Sequence, residues 1–277
     1  MTALSLRFLL GTIAAAGLLV AGSVQAQQAN QQASPPPLQS PPVVMLPDKP
    51  SLEPKALAIL KAASDQIAAA HTLSFTALAT YESPARTLQP LAYTVLSEVR
   101  LERPNKLSVI SPGDGPPNEF YYDGKTMMAY EPQSNFVAIA DAPPTIEAML
   151  KVAYEKAAIY FPFDDVLLSD PYRAAVDGLK LAFVVGQSHV VGGTVTDIVA
   201  LANEDAQAEI WIGAEDKLPR MVRATYFNEP GNFRHVVEFS NWRLNPALPP
   251  GTFASAQAAK ARRIKFASPD EKIPQVQ

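Results

Sequence analysis

The chain has no cysteine, only three histidines and only two tryptophans in 277 residues. Without cysteine there is no disulfide, thiolate metal site, thiol nucleophile, redox pair or lipid-bearing N-terminal cysteine. Its core must hold without covalent staples. His71, His189 and His235 share no local ligand motif, so a zinc centre would need them to converge from distant elements. No phosphate-loop pattern surrounds Gly192-Gly193, and a sharp turn is the expected role there. Basic residues number 23 against 27 acidic ones, a formal net charge of −4. That balance gives no general attraction to nucleic acid or to anionic lipid.

One long apolar run is present, Phe8 to Val20. It follows Arg7 and gives way to small residues ending in Val24-Gln25-Ala26, the pattern of an export signal cleaved near Ala26. It is short for a membrane span and is followed at once by Gln-rich polar sequence. Residues 1–26 are therefore expected to be a signal peptide and the mature protein to be periplasmic. Residues 27–50 hold seven prolines in 24 positions, including Pro35-Pro36-Pro37 and Pro41-Pro42. Such a stretch builds no core and reads as a disordered linker. A single domain is expected over 51–266, and a flexible tail over 267–277.

Helical periodicity covers about Leu52 to Ala70, with Ser51 as a plausible cap and Ala56, Ile59, Leu60, Ala63, Ile67 and Ala70 on one stripe. The period then changes to two. Strands are expected at Leu73–Tyr81, Ala92–Leu101, Lys106–Ile110, Asn118–Tyr122, Lys125–Glu131 and Asn135–Ala140, with Asp123-Gly124 as a tight hairpin turn. Thr145 caps a second helix, Ile146 to Ala158, and short helical turns follow near Asp164–Leu168 and Pro171–Asp177. Five more strands are expected between Leu179 and Leu244, then a helix over Ala254–Ile264. Consecutive strands with short links favour antiparallel pairing. The fold expected is mainly β with helices: one strongly curved antiparallel sheet forming an incomplete β-barrel covered by helices.

Several segments also resemble a known pattern. Arg103-Pro104-Asn105-Lys106-Leu107 matches a strand-turn-strand element, and Tyr122-Asp123-Gly124-Lys125-Thr126 a hairpin. Ala142-Pro143-Pro144-Thr145-Ile146, Phe161-Pro162-Phe163-Asp164-Asp165-Val166-Leu167-Leu168, Val185-Gly186, Val191-Gly192-Gly193, Trp211-Ile212 and Leu218-Pro219-Arg220 follow in order. Together they resemble the DUF2092 family of predicted bacterial periplasmic proteins over about residues 55 to 255. That family is similar to the LolA/LolB lipoprotein-carrier superfamily. The resemblance implies a half-barrel with an apolar cavity for lipid or lipoprotein acyl chains. The family often carries histidines after its Val-x-Gly element; Thr194 to Ala200 holds none.

A carrier needs an apolar interior that is not completely filled. The ligand-binding candidates are Phe75, Tyr93, Val95, Met127, Met149, Leu150, Phe161, Phe163, Phe183, Trp211 and Tyr226, chosen for apolar bulk and adaptable thioethers. The Phe161-Pro162-Phe163 patch reads either as a lid edge or as static packing. The expected ligand is apolar or acylated, such as a lipid or lipoprotein. An envelope protein is a possible partner, and a monomer is expected. The alternative is an envelope protein-binding or structural module with a filled core. No cofactor, metal or nucleic acid is expected. An enzyme is not expected either: Ser188-His189 and His235/Glu238 place their members on opposite strand faces, and neither pair is a ready dyad.

Overall fold

The structure is a computed structural model that describes residues 46–83, 89–113, 116–227 and 231–268. The expected signal peptide, most of the expected linker and nearly all of the expected tail lie outside the described residues. Strands β1 (Ser51–Leu52), β2 (Thr72–Ser83), β3 (Leu91–Glu102), β4 (Lys106–Ser111), β5 (Asn118–Tyr122), β6 (Thr126–Glu131) and β7 (Phe136–Asp141) occupy the first half. Strands β8 (Leu181–Ser188), β9 (Thr196–Ala202), β10 (Ala206–Gly213), β11 (Pro219–Tyr226), β12 (Arg234–Leu244) and β13 (Arg262–Ile264) occupy the second. Helix α1 (Pro54–Ala68) precedes β2, whereas α2 (Ile146–Ala157) and the short α3 (Pro171–Val176) separate β7 from β8.

All thirteen strands join one sheet in the order β1-β8-β9-β10-β11-β12-β2-β3-β4-β5-β6-β7-β13. Every pairing is antiparallel except the two at the edges, where β1 runs parallel to β8 and β13 parallel to β7. The sheet is curved and does not close, and its helices cover one face: an incomplete barrel of the kind the strand pattern predicts. Among the described residues no helix is long and apolar enough to cross a membrane.

Local chemistry accounts for the element ends. At the β5–β6 turn, Asp123 Oδ1 accepts the N–H groups of Lys125 and Thr126 at 2.9 and 2.7 Å. Gly124 takes φ +94°, and a Cβ there would fall 2.7 Å from Asn105 Nδ2, so the turn requires glycine. Thr145 caps α2 by accepting from the Ala148 N–H, and Ala158 ends it in a left-handed conformation. Helix α1 departs from expectation at its start, because Ser51 is spent on β1. Glu53 stands at the N-cap position without capping; its carboxylate instead accepts the Val184 N–H at 2.8 Å and satisfies the edge of β8.

The expected C-terminal helix is the main correction to the fold. Residues Ala258–Lys260 make one tight helical turn, and Arg262–Ile264 form β13 beside β7. The extended path buries Ala258 and Ala261 against Tyr130 and Val137, and it pairs backbone groups of β7 that a helix would leave open. At Val191–Gly193 the structure has the sharp turn expected of Gly192-Gly193, with Gly192 at φ +71°.

The helices divide the covered face. α2 sets Ile146, Met149 and Ala153 into the core over the β2–β6 side, next to Phe75, Val99, Leu107, Phe120 and Met127. α1 sets Ala56, Leu60 and Ala63 over the β8–β10 side, next to Ala182, Val199, Leu201 and Ile212.

Candidate functional site: a hollow under beta strands ten and eleven

The covered face of β10 alternates Ala206, Ala208, Ile210 and Ile212, and that of β11 offers Val222, Ala224 and Tyr226. Their register sets Ala206 opposite Tyr226, Ala208 opposite Ala224 and Ile210 opposite Val222. Three alanines therefore meet where two neighbouring strands would otherwise project bulk. Above them stand Leu60, Ala63, Ser64 and Ile67 of α1, Asp165 and Val166 of the turn before α3, and Pro171, Tyr172 and Ala175 of α3. Between the two layers is a hollow of about 110 Å³.

Nearly all its lining is apolar. The exceptions are Ser64, Asp165 and the two tyrosines. Ser64 Oγ accepts the Tyr172 N–H at 2.8 Å, tying α3 to α1 across the top of the hollow. Asp170 caps α3 by accepting the Arg173 N–H at 3.0 Å. No residue of α3 is fully buried, and Tyr172 and Val176 pack half-buried against the core under α1. The preceding turn is anchored from the other side, where Arg103 Nη1 donates to the Leu167 carbonyl at 2.9 Å. Burial pulls the Arg103 pKa down, against the raising influence of Glu147.

Asp164 and Asp165 open this turn. Burial pushes both carboxyls up, and the charge of Asp165 adds to the rise at Asp164; Asp165 itself is pushed up to about 6. Among the described residues no three His, Asp or Glu side chains gather closely enough to hold a metal ion.

Of the candidates named from sequence, only Tyr226 lines the hollow. Phe75, Met127, Met149, Phe161 and Phe163 are buried in the main core, with Leu150 half-buried against it. The Phe161-Pro162-Phe163 patch is packed: the Phe161 ring meets Phe120 at 5.3 Å and the Phe163 ring meets Phe75 at 5.7 Å. Val95 and Tyr93 share the covered face of β3, half-buried and exposed respectively. Phe183 and Trp211 point the other way, because their neighbours Ala182, Val184, Ile210 and Ile212 take the covered face. The choice of large side chains misses the hollow for a physical reason: a hollow is where side chains are small. The available signal was the Ala206-x-Ala208 alternation with a matching Ala224.

Beside the hollow, aromatic rings continue along the covered face. Tyr226 meets His235 edge-on with centroids 4.9 Å apart, His235 lies 6.0 Å from Tyr81, and Tyr81 stacks with Tyr93 at 5.9 Å. On the opposite face Glu82 holds Arg234 through Nη2 at 2.8 Å and Nε at 3.1 Å, pinning the ends of β2 and β12 together. Burial pushes the His235 pKa down and Glu82 pulls it up less strongly, so the imidazole favours its neutral form.

No curated protein matches this chain. Among solved structures, an uncharacterized conserved protein from Thermus thermophilus is similar at 12% identity and a TM-score of 0.43, covering 76% of this chain and 99% of that one. LprF from Mycobacterium bovis is similar at 16% identity and a TM-score of 0.43, covering 74% and 100%. A LolA superfamily protein from Nitrosomonas europaea is similar at 8% identity and a TM-score of 0.35, covering 72% and 97%. A family model matches residues 56–267, most of the described sheet and its helices, and the chain thereby belongs to the family described as "Predicted periplasmic protein (DUF2092)".

Proposed function

We propose that this protein is exported to the periplasm, with cleavage near Ala26, and there binds the end of an apolar chain in the hollow under β10 and β11. It acts as a non-catalytic carrier or sensor of a lipid or acylated ligand. The observation that carries this reading is the alanine-floored hollow beneath α3, none of whose residues is fully buried. Leaving about 110 Å³ unfilled forgoes roughly 2 to 3 kcal/mol of packing, at about 24 cal/mol per Å³. A ligand tail recovers such contacts. The family description as periplasmic and the signal-like leader supply the address.

Native mass spectrometry of the protein, gently released from its own periplasm, tests the reading. The expected result is a bound lipid mass that is lost on solvent extraction, on a chain beginning at Gln27. A folded protein that carries no lipid and displaces no alkyl probe would reject it, in favour of an envelope module that binds protein.

A further inference from the structure

The outer face of the sheet, away from the helices, is finished by the chain itself at one end. After β12 the C-terminal segment crosses the outer side of β4 to β7. Lys106 Nζ lies over the Phe253 ring at 5.7 Å, Ser255 hydrogen-bonds with Tyr121, and Ala258 and Ala261 pack on Tyr130 and Val137. Lys106, Tyr121 and Tyr130 alternate along their strands with Leu107, Tyr122 and Ala129, which belong to the covered core. The segment then ends as β13, parallel to β7 at one edge of the sheet.

The other edge repeats this arrangement in reverse. There β1 runs parallel to β8, and the chain that precedes it comes from outside the described residues. Next to that entry the outer face carries apolar bulk. Register sets Ile198 of β9 opposite Trp211 of β10, and Trp211 opposite Met221 of β11. Val185, at a bulge in β8, lies beside Ile198, and Phe183 is two residues before it. Phe183 is 41% exposed and Val185 50%, while Trp211 is half-buried. The row stops at Glu238, opposite Met221 on β12. The neighbouring charges Glu209 and Arg223 answer one another at 3.7 Å, so the patch offers apolar surface and no net charge.

The sequence before β1 has matching chemistry. Residues 27–47 carry no charged side chain, and the prolines at 35–37 and 41–42 are followed by Val43, Val44, Met45 and Leu46. A proline-rich segment needs no internal hydrogen bonds, and such segments dock on aromatic side chains. Its reach is sufficient. Trp211 lies three strands from β1 and about four residues along, roughly 20 Å from Ser51. About nine extended residues at ~3.1 Å each span about 28 Å. Leu46 and Pro47, the first described residues, are already half-buried, whereas Asp48 to Pro50 are exposed.

We infer that residues 35–45 dock on the outer face of β8 to β11 of their own chain, over Phe183, Val185, Ile198, Trp211 and Met221, as the C-terminal segment does over β4 to β7. The covered face and its hollow stay free, so the docking stands or falls independently of the ligand-binding reading.

The absence of native cysteine gives a clean test in the full chain. Val44→Cys combined with Val185→Cys is expected to form an intramolecular disulfide under mild oxidation about tenfold faster than Val44→Cys combined with Gln133→Cys, at the distant β6–β7 turn. Adding Trp211→Ala to the first pair is expected to slow it about fivefold. Val185 and Gln133 are exposed, so these variants should fold, and circular dichroism checks that all of them do. Equal rates for the two pairs, including no disulfide in either, or a rate indifferent to Trp211→Ala, overturns the docking. A disulfide that joins two chains also overturns it, and assigns the patch to a second copy.

Discussion

The two ends of the covered face are built from the same kind of sheet and finished in opposite ways. Over β2 to β6, aromatic and branched side chains interlock. Phe75 alone meets Phe163 at 5.7 Å, Phe239 at 5.8 Å and Trp242 at 4.5 Å, and the Trp242 indole donates to the Pro219 carbonyl at 2.8 Å. Over β10 and β11, alanines face α3, which Ser64 joins to α1 by one hydrogen bond and which packs through half-buried Tyr172 and Val176. One end keeps the sheet folded; the other leaves room. A curved sheet permits this division, because its strands share backbone bonds across the whole span while each region packs its own cover.

The largest expected difference lies in truncation of the filled end. Phe75→Ala should cost about 3 to 5 kcal/mol, read from urea unfolding, because the surrounding rings cannot collapse into the space. A loss below about 1 kcal/mol would mean that this end is loosely packed too, and the contrast would vanish.

Enlarging alanines sharpens the comparison. Ala77, fully buried on β2, and Ala208 on β10 both project onto the covered face. Ala77→Leu overpacks a filled core and should cost about 1 to 3 kcal/mol. Ala208→Leu enters the hollow, so its stability should change by less than about 1 kcal/mol while alkyl-probe binding is lost. Equal penalties at both positions would contradict the existence of usable space under α3.

The smallest effect concerns pH. The carboxyl of Asp165 is raised by burial from 3.8 to about 6 in the folded chain. A raised acid favours folding when protonated, so its contribution is present below the unfolded value and is lost as pH rises through the folded one, the window from about 4 to 6. Asp165→Asn should flatten the stability profile in that window and stabilise the protein above it. Solvent screening at this half-buried turn keeps the change below about 1 kcal/mol. Unfolding midpoints across pH 4 to 7 measure it; a steeper slope in the variant would reverse the assignment.

Much of the architecture was legible from local rules. The shift from helical to two-residue periodicity at Leu73, the Asp123-Gly124 turn and the Thr145 cap depend on neighbours within a few residues, and all three are where the pattern places them. The C-terminal segment was not legible in this way. Ala254 to Ile264 has helical composition, yet the unpaired side of β7 offers backbone partners that only the folded sheet creates. The faces that two of the candidate residues occupy were not legible for a related reason. Phe183 and Trp211 are large and lie in strands, but only the pairing of β8 with β9 and of β10 with β11 decides which face each occupies.

By itself the sequence determined the absence of covalent staples, the alternation that makes strands and the family membership of residues 56–267. Composition and near-neighbour spacing carry those properties, since they follow from single residues and short periods. Only the tertiary structure decided where the interior is full and where it is empty. That outcome depends on which small side chains are brought opposite one another from Ala206 to Ala224, and on a helix more than a hundred residues earlier in the chain settling above them without reaching the floor.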